Sequence, residues 1–344
     1  MLEDVELRRN GRYCKAMLRR RSLVLVLSAL LVLALALAGC SSKPANTSPN
    51  DSGKTSAPAP AKKVKVGLSM NTLNNPFFVA VKEGAEAGAK SLGYELIVTD
   101  AQNKPAKQLS DVENLIQQKP DILILDPADS DGIVAAVEAA NKAGIPVFTI
   151  DRQAKGGNTI THIGFDAIKS GNIAGQFLAD ALKGKGKIVE IQGIMGTNVA
   201  QDRSKGFNEI MAKNPGMKIV ARQTANFDRA EAMKVMENIL QANPEIDGVY
   251  AANDEMALGA LAAIEAAGRT SKIKLIGCDA IDPALDAVKS GKMAATIAEP
   301  PFFLGKKAVE TAKDILDKKT VDKSVILPSN LVTKDNASTI KTRD

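Results

Sequence analysis

The chain has 344 residues, 45% of them hydrophobic and 24% charged, which is enough for two domains with separate cores and ordinary for a soluble globular protein. Its formal net charge of +6 falls to +2 once residues 1–39 are set aside, because those carry seven Lys or Arg against three acids. That near balance excludes a nucleic-acid binder driven by charge.

The first forty residues read as an export signal. Arg19-Arg20-Arg21 precedes an apolar run over 23–37 that is somewhat short for a spanning helix. The run ends in Leu37-Ala38-Gly39-Cys40, which resembles a bacterial lipobox. The resemblance implies cleavage of a signal peptide, 1–39, and lipid on Cys40, with the product anchored to the outer face of the cell membrane or held in the periplasm. An uncleaved anchor is the alternative, and Met17 could serve as the start in place of Met1. Residues 40–62 are rich in Ser, Pro, Ala, Asn and Lys and read as a flexible tether. After processing only Cys40 and Cys278 remain, so no intrachain disulfide is expected, and Cys278 reads as a small buried apolar residue.

From residue 64 onward strand-like and helix-like runs alternate. Strands are expected over 65–70, 94–99, 121–126 and 146–150, with helices over 78–91, 105–118 and 132–143. Asp129-Ser130-Asp131 is expected to cap the helix over 132–143. The pattern then restarts. Helices over 167–182, 203–213, 229–241, 255–267 and 283–290 alternate with strands over 187–192, 218–223, 249–252, 274–278 and 294–298, and a helix over 303–316 comes last. Short, continuously apolar strands between helices predict an α/β fold with two doubly wound parallel sheets of similar size.

The residues just past each strand carry the functional signal, because ligands in such sheets bind beyond the carboxyl ends of the strands. Asn75 is a good N-cap, Pro76 suits the first helical position, and Phe77 and Phe78 fall in the first turn. Other strand ends offer Asp126, Asp151-Arg152, the 193–203 segment, Phe227, Asn253-Asp254, Asp279 and Glu299. Aromatic residues make up 3% of the chain and Trp is absent, so three Phe at strand ends are informative. Phe rings can cover the C–H faces of a sugar ring, carboxylates accept from vicinal hydroxyls, and a guanidinium fork donates to oxygens. Each acid alone reads as a cap or a surface charge; eight such ends around one crevice do not. Catalysis lacks a motif. There is one His, His162, on a strand-like run, with no Cys/His zinc spacing, phosphate loop, dinucleotide fingerprint or Gly-x-Ser-x-Gly. The expectation is a binding protein, not an enzyme, without cofactor or metal.

Thr72-Leu73-Asn74-Asn75-Pro76-Phe77-Phe78, Asp151-Arg152-Gln153-Ala154, Asn226-Phe227-Asp228-Arg229 and the run from Asn253 to Ala260 resemble the ribose-binding branch of the periplasmic binding proteins, the solute receptors of ABC importers. The resemblance implies two lobes joined by three crossings, one over 63–165 plus 298–327 and the other over 166–297 plus 328–344. It implies hinge closure on a monosaccharide, a membrane permease as partner, no nucleic acid, and a monomer. It assigns ligand contacts to Asn75, Phe77, Phe78, Asp126, Asp151 and Arg152 in one lobe, and to Arg203, Phe227, Asn253, Asp279 and Glu299 in the other and the hinge. Asp126 and Glu299 depart from the ribose pattern, standing where it has Asn and Gln. An ionised carboxylate only accepts, so the ligand would have to supply donors there. A sugar or autoinducer receptor for chemotaxis or signalling is the alternative. A LacI-type sensor domain would need a helix-turn-helix where the export signal stands.

Overall fold

The computed structural model describes residues 63–343; the expected signal peptide, Cys40 and the expected tether lie outside them. No helix among the described residues is long and apolar enough to cross a membrane.

The first lobe begins β1 (Lys65–Met70), α1 (Pro76–Leu92), β2 (Glu95–Asp100), α2 (Pro105–Gln117), β3 (Ile122–Leu125), α3 (Val134–Lys142), β4 (Val147–Ile150), β5 (His162–Phe165). Every residue of β3, β4 and β5 is buried, the signature of a sheet covered on both faces. Helix α1 illustrates how local chemistry sets an element. Asn75 accepts from the Phe77 amide, Pro76 opens the first turn, and Gly93 closes the helix at φ 68°. Its Phe78, Val81, Ala85 and Ala89 recur at helical spacing and are buried against the sheet.

The chain then builds a second lobe from α4 (Ala167–Ala181), β6 (Gly186–Gln192), α5 (Asn198–Lys213), β7 (Met217–Thr224), α6 (Arg229–Ala242), β8 (Gly248–Ala251), α7 (Asp254–Ala266), β9 (Lys274–Ile276), α8 (Asp282–Lys289) and β10 (Thr296–Ala298). It returns to the first lobe as α9 (Pro301–Leu316) and β11 (Ser324–Leu327), and crosses once more into β12 (Asn330–Val332). The first sheet is wholly parallel in the order β11-β5-β4-β3-β1-β2. The second is parallel in the order β7-β6-β8-β9 and is extended by parallel bridges from Ile276 to Ala295 and from Asp279 to Ala298. In each sheet the first strand lies between the second and third, so the strand order reverses there, the position where doubly wound folds bind ligands.

Three expectations need correction. The sheets are unequal, six hydrogen-bonded strands against four, and the second ends in an antiparallel pair, β10 with β12. Helix α5 starts at Asn198 rather than 203, because the Thr197 side chain accepts from the Ala200 amide and caps it there. Asp129 does not cap α3; its Oδ1 accepts from the Asp131 and Gly132 amides in a preceding turn, at 3.0 and 2.7 Å.

Helices α4 and α5 approach through glycine. A Cβ on Gly171 would lie 2.1 Å from the Arg203 carbonyl oxygen, and one on Gly206 would lie 2.0 Å from that of Ile168. The contact fixes the backbone of Arg203 as well as the helix pair. Gly171→Ala is therefore expected to cost about 1–3 kcal/mol through overpacking, read as a lower melting temperature; an unchanged melt would refute the close approach.

His162, on β5, is buried, and its Nδ1 lies 3.0 Å from Thr149 Oγ1. Burial lowers its pKa to about 4, from 6.5. The folded state favours the neutral ring, so this stabilisation is complete above about 6.5 and is lost as pH falls towards 4. As the one histidine, its ring resonance can be tracked directly by NMR. A midpoint near 4 is expected in the native protein and one near 6.5 in urea; equal midpoints would sink the assignment.

Candidate functional site

Strand ends of the two lobes line a pocket whose empty space, counted out into the open solvent at its mouth, is ≈ 290 Å³. Nine residues singled out in the sequence line it: Asn75, Phe77, Phe78, Asp151 and Arg152 from the first lobe, and Arg203, Phe227, Asn253 and Asp279 from the second.

The aromatic wall comes from α1 and from the turn after β7. Phe77 and Phe78 meet edge to face with centroids 5.1 Å apart. The Arg152 guanidinium lies between Phe78 and Phe227, 5.2 and 5.4 Å from the two ring centroids, so a cation bridges aromatics of both lobes. Arg152 Nη1 donates to the Pro127 carbonyl at 3.1 Å, and its Nε has no hydrogen-bond partner. Arg203, on α5, donates through Nη1 to the Ala252 carbonyl at 2.6 Å and through Nη2 to Asp279 and Glu299. Its Nε is likewise buried and unpaired.

Asn75 and Asn253 are both helix N-caps whose side-chain oxygens accept from Phe77 and Met256, each at 2.9 Å. With those oxygens committed, each amide has its NH2 left to offer, so these positions are donors to the cavity. Asp151 and Asp279 supply the acceptors. Three wall residues have left-handed backbone: Asp151 at φ 55°, Phe227 at 60° and Asp279 at 124°. For side chains other than Gly such conformations cost on the order of 1–3 kcal/mol each and cluster where function requires them.

Burial dominates the electrostatics. It raises the pKa of Asp151, against the pull of Arg152 and Arg203, and raises that of Asp279 well above the usual carboxylate range, against Arg203. Asp254, beneath Asp279, accepts from Thr296 Oγ1 at 2.7 Å and the Ile281 amide at 3.1 Å, and burial raises it to about 7. Burial lowers the Arg152 pKa despite the support of Asp126 and Asp151. Burial also opposes the charge on Arg203, but the groups around it, Glu299 and Asp279 among them, outweigh that cost and raise its pKa.

Two expected contacts are not on the wall. Asp126 is fully buried at the end of β3, neither carboxylate oxygen has a hydrogen-bond partner, and burial and then Asp151 push its pKa well up. Glu299 is 1% exposed and bonded to Arg203, Ser170 and Ser329. In both cases an arginine, Arg152 or Arg203, takes the wall position and the acid lies in the layer beneath it. Val199 lines the cavity and was not anticipated. It is four residues before Arg203 on α5 and so shares its face; recognising Thr197 as a cap would have found it.

Cys278, Asp279 and Glu299 are the group of possible metal ligands among the described residues, with atoms within 4.8 Å of one another. Arg203 already bonds both carboxylates, and burial holds the Cys278 thiol protonated, so this arrangement is a poor cation site. Away from the cavity the lobes touch directly. The Ser130 amide donates to the Gly196 carbonyl at 3.1 Å, the Asn198 amide to Ser130 Oγ at 3.1 Å, and the Gln153 amide to Asn198 Oδ1 at 2.8 Å.

The sequence profile of the family described as periplasmic binding protein domain matches residues 66–320. The ribose import binding protein RbsB of Bacillus subtilis (strain 168) is 43% identical over 314 residues, covering 91% of this chain and 98% of that one. A periplasmic solute binding protein of an ABC transporter from Actinobacillus succinogenes, with bound D-allose, is 33% identical at a TM-score of 0.77, covering 81% of this chain and 100% of that one. A Caulobacter myo-inositol binding protein, bound to myo-inositol, is 34% identical at a TM-score of 0.78, covering 81% and 96%.

Proposed function

The chain belongs to the periplasmic binding proteins, in the branch that contains the ribose import binding proteins, and from that premise we propose that it is an exported receptor that closes two lobes on a monosaccharide and presents it to an ABC importer. The observation that carries the reading is the cavity itself. Its Phe rings suit the C–H faces of a sugar, and its amides, carboxylates and guanidinia suit hydroxyls on both sides. Asn75, Phe77, Phe78, Asp151 and Arg152 hold the sugar from one lobe, and Arg203, Phe227, Asn253 and Asp279 from the other. Because each lobe supplies part of the set, the closed form binds more tightly and the sugar shifts the population towards it by hinge motion. The lobes are taken as 63–165 with 298–327 and 166–297 with 328–344, a division supported by the strand pairing. The protein acts as a monomer and turns nothing over; its relatives from Bacillus, Actinobacillus and Caulobacter are binding proteins.

The ligand is neutral or carries an amine, because Arg203 is already committed to Ala252, Asp279 and Glu299, and Arg152 to Pro127 with Asp151 beside it, so neither guanidinium is free to pair with a phosphate. D-Ribose, D-allose and myo-inositol, the ligands of the relatives, are the first candidates. In calorimetry over these, amino sugars and sugar phosphates, at least one unphosphorylated compound is expected to bind and no phosphate is. Arg152→Ala is expected to weaken that binding roughly 10- to 150-fold, from about 1.5–3 kcal/mol for a hydrogen bond to a charged group. Binding of a phosphosugar alone would overturn the assignment.

The mature protein is tethered through lipid on Cys40, which keeps it near its permease and raises its effective concentration there. Mass spectrometry of the mature N-terminus is expected to find residues 1–39 removed and a lipidated Cys40; an intact leader or a bare thiol would refute the anchor.

A further inference from the structure

We propose that Glu299 is a positioning residue that ties all three lobe crossings to Arg203, and that it acts on the sugar through Arg203 and the closure equilibrium rather than by touching it. The proposal rests on the reading of the cavity as a monosaccharide site.

The chain passes between lobes at three places: between β5 and α4, between β10 and α9, and between β11 and β12. Glu299 sits in the second crossing. Its Oε1 accepts from Ser170 Oγ at 2.5 Å, in the first turn after the first crossing, and from Ser329 Oγ at 3.1 Å, in the third. Its Oε2 accepts from Arg203 Nη2, on the cavity wall. One carboxylate thus gathers a group from or beside each hinge segment and joins them to a side chain that faces the ligand. Arg203 can only donate, the two serine hydroxyls can donate or accept, and a carboxylate offers about four lone-pair sites. An amide there could still accept from Arg203 and meet the serine hydroxyls through its NH2, but it would bring no charge opposite the guanidinium. A carboxylate is the stronger partner for Arg203 at the position where the ribose pattern has Gln. The second crossing also carries the Glu299 amide bond to the Asp279 carbonyl at 3.3 Å, so a twist in the hinge moves both groups that bond Arg203.

Hinge bending requires the three crossings to turn relative to one another. A buried acceptor shared by all of them makes that turn cooperative, and through Arg203 it makes the preferred angle depend on the cavity wall. Ser170 and Ser329 do not line the cavity. Changing them separates a hinge role from ligand contact.

The test uses the mature chain with spin labels on Glu113→Cys and Glu237→Cys, exposed positions on α2 and α6. Inter-lobe distances without sugar are compared for this protein, for Ser170→Ala/Ser329→Ala and for Glu299→Gln, with calorimetry on D-ribose, D-allose and myo-inositol. Both variants are expected to shift the sugar-free distance distribution. Both should lower affinity for every sugar that binds by a common factor, on the order of tenfold, with the rank order kept. The proposal is overturned if the serine variant matches the unaltered chain in distance and affinity while Glu299→Gln reorders the sugars. If the unaltered chain binds none of the three, the sugar reading loses its support and the sugar-free distances alone judge Glu299, an unchanged distribution in both variants being the result that defeats it.

Discussion

Two guanidinium groups held out of water between two lobes are the constraint on which the rest depends. Arg152 and Arg203 are 2% and 3% exposed. A charge so placed is tolerable only if acceptors surround it. The fold meets that demand with strand ends: the carbonyls of Pro127 and Ala252, and the carboxylates of Asp126, Asp151, Asp279 and Glu299. Parallel strands bring their carboxyl ends to one edge, so such groups converge without long loops. The left-handed backbone at Asp151, Phe227 and Asp279 is the strain this convergence costs.

The same crowding decides the state of the acids. Each carboxylate is drawn towards ionisation by an arginine and away from it by burial, and for Asp126, Asp151 and Asp279 burial prevails. Arg203, bonded by Glu299, keeps its charge against the burial that opposes it. The wall therefore presents fixed donors from two arginines and two capping asparagines, and carboxyl groups, Asp151 and Asp279, that burial pushes towards the neutral form. That is a surface suited to hydroxyls, which both give and take hydrogen bonds.

Much of this was legible in the sequence, for reasons that differ by element. The buried strands announced themselves as short apolar runs, and α1 by Asn75-Pro76 and its spacing. The cavity residues were found because polar and aromatic groups are conspicuous at strand ends in a chain with few aromatics. What escaped was decided by contacts distant in sequence. Strand β11 is half-exposed at an edge and β12 has three residues, so neither leaves a periodic trace. That Asp126 and Glu299 lie under the wall depends on which way Arg152 and Arg203 reach, and no local pattern encodes that. The early start of α5 was readable from Thr197, and Val199 with it.

The direct bonds between Ser130, Gly196, Gln153 and Asn198 have a consequence of their own. They involve no ligand atom, so they favour shutting of the empty and the loaded receptor alike. While the empty protein stays mainly open, each added bond tightens capture. Once the empty protein is itself mostly shut, a further bond stabilises both forms equally and affinity gains nothing. The importer, meanwhile, would meet more receptors that are shut with no cargo. The strength of this rim is therefore bounded from above, and three modest hydrogen bonds at the edge suit a receptor that must report its load by its shape.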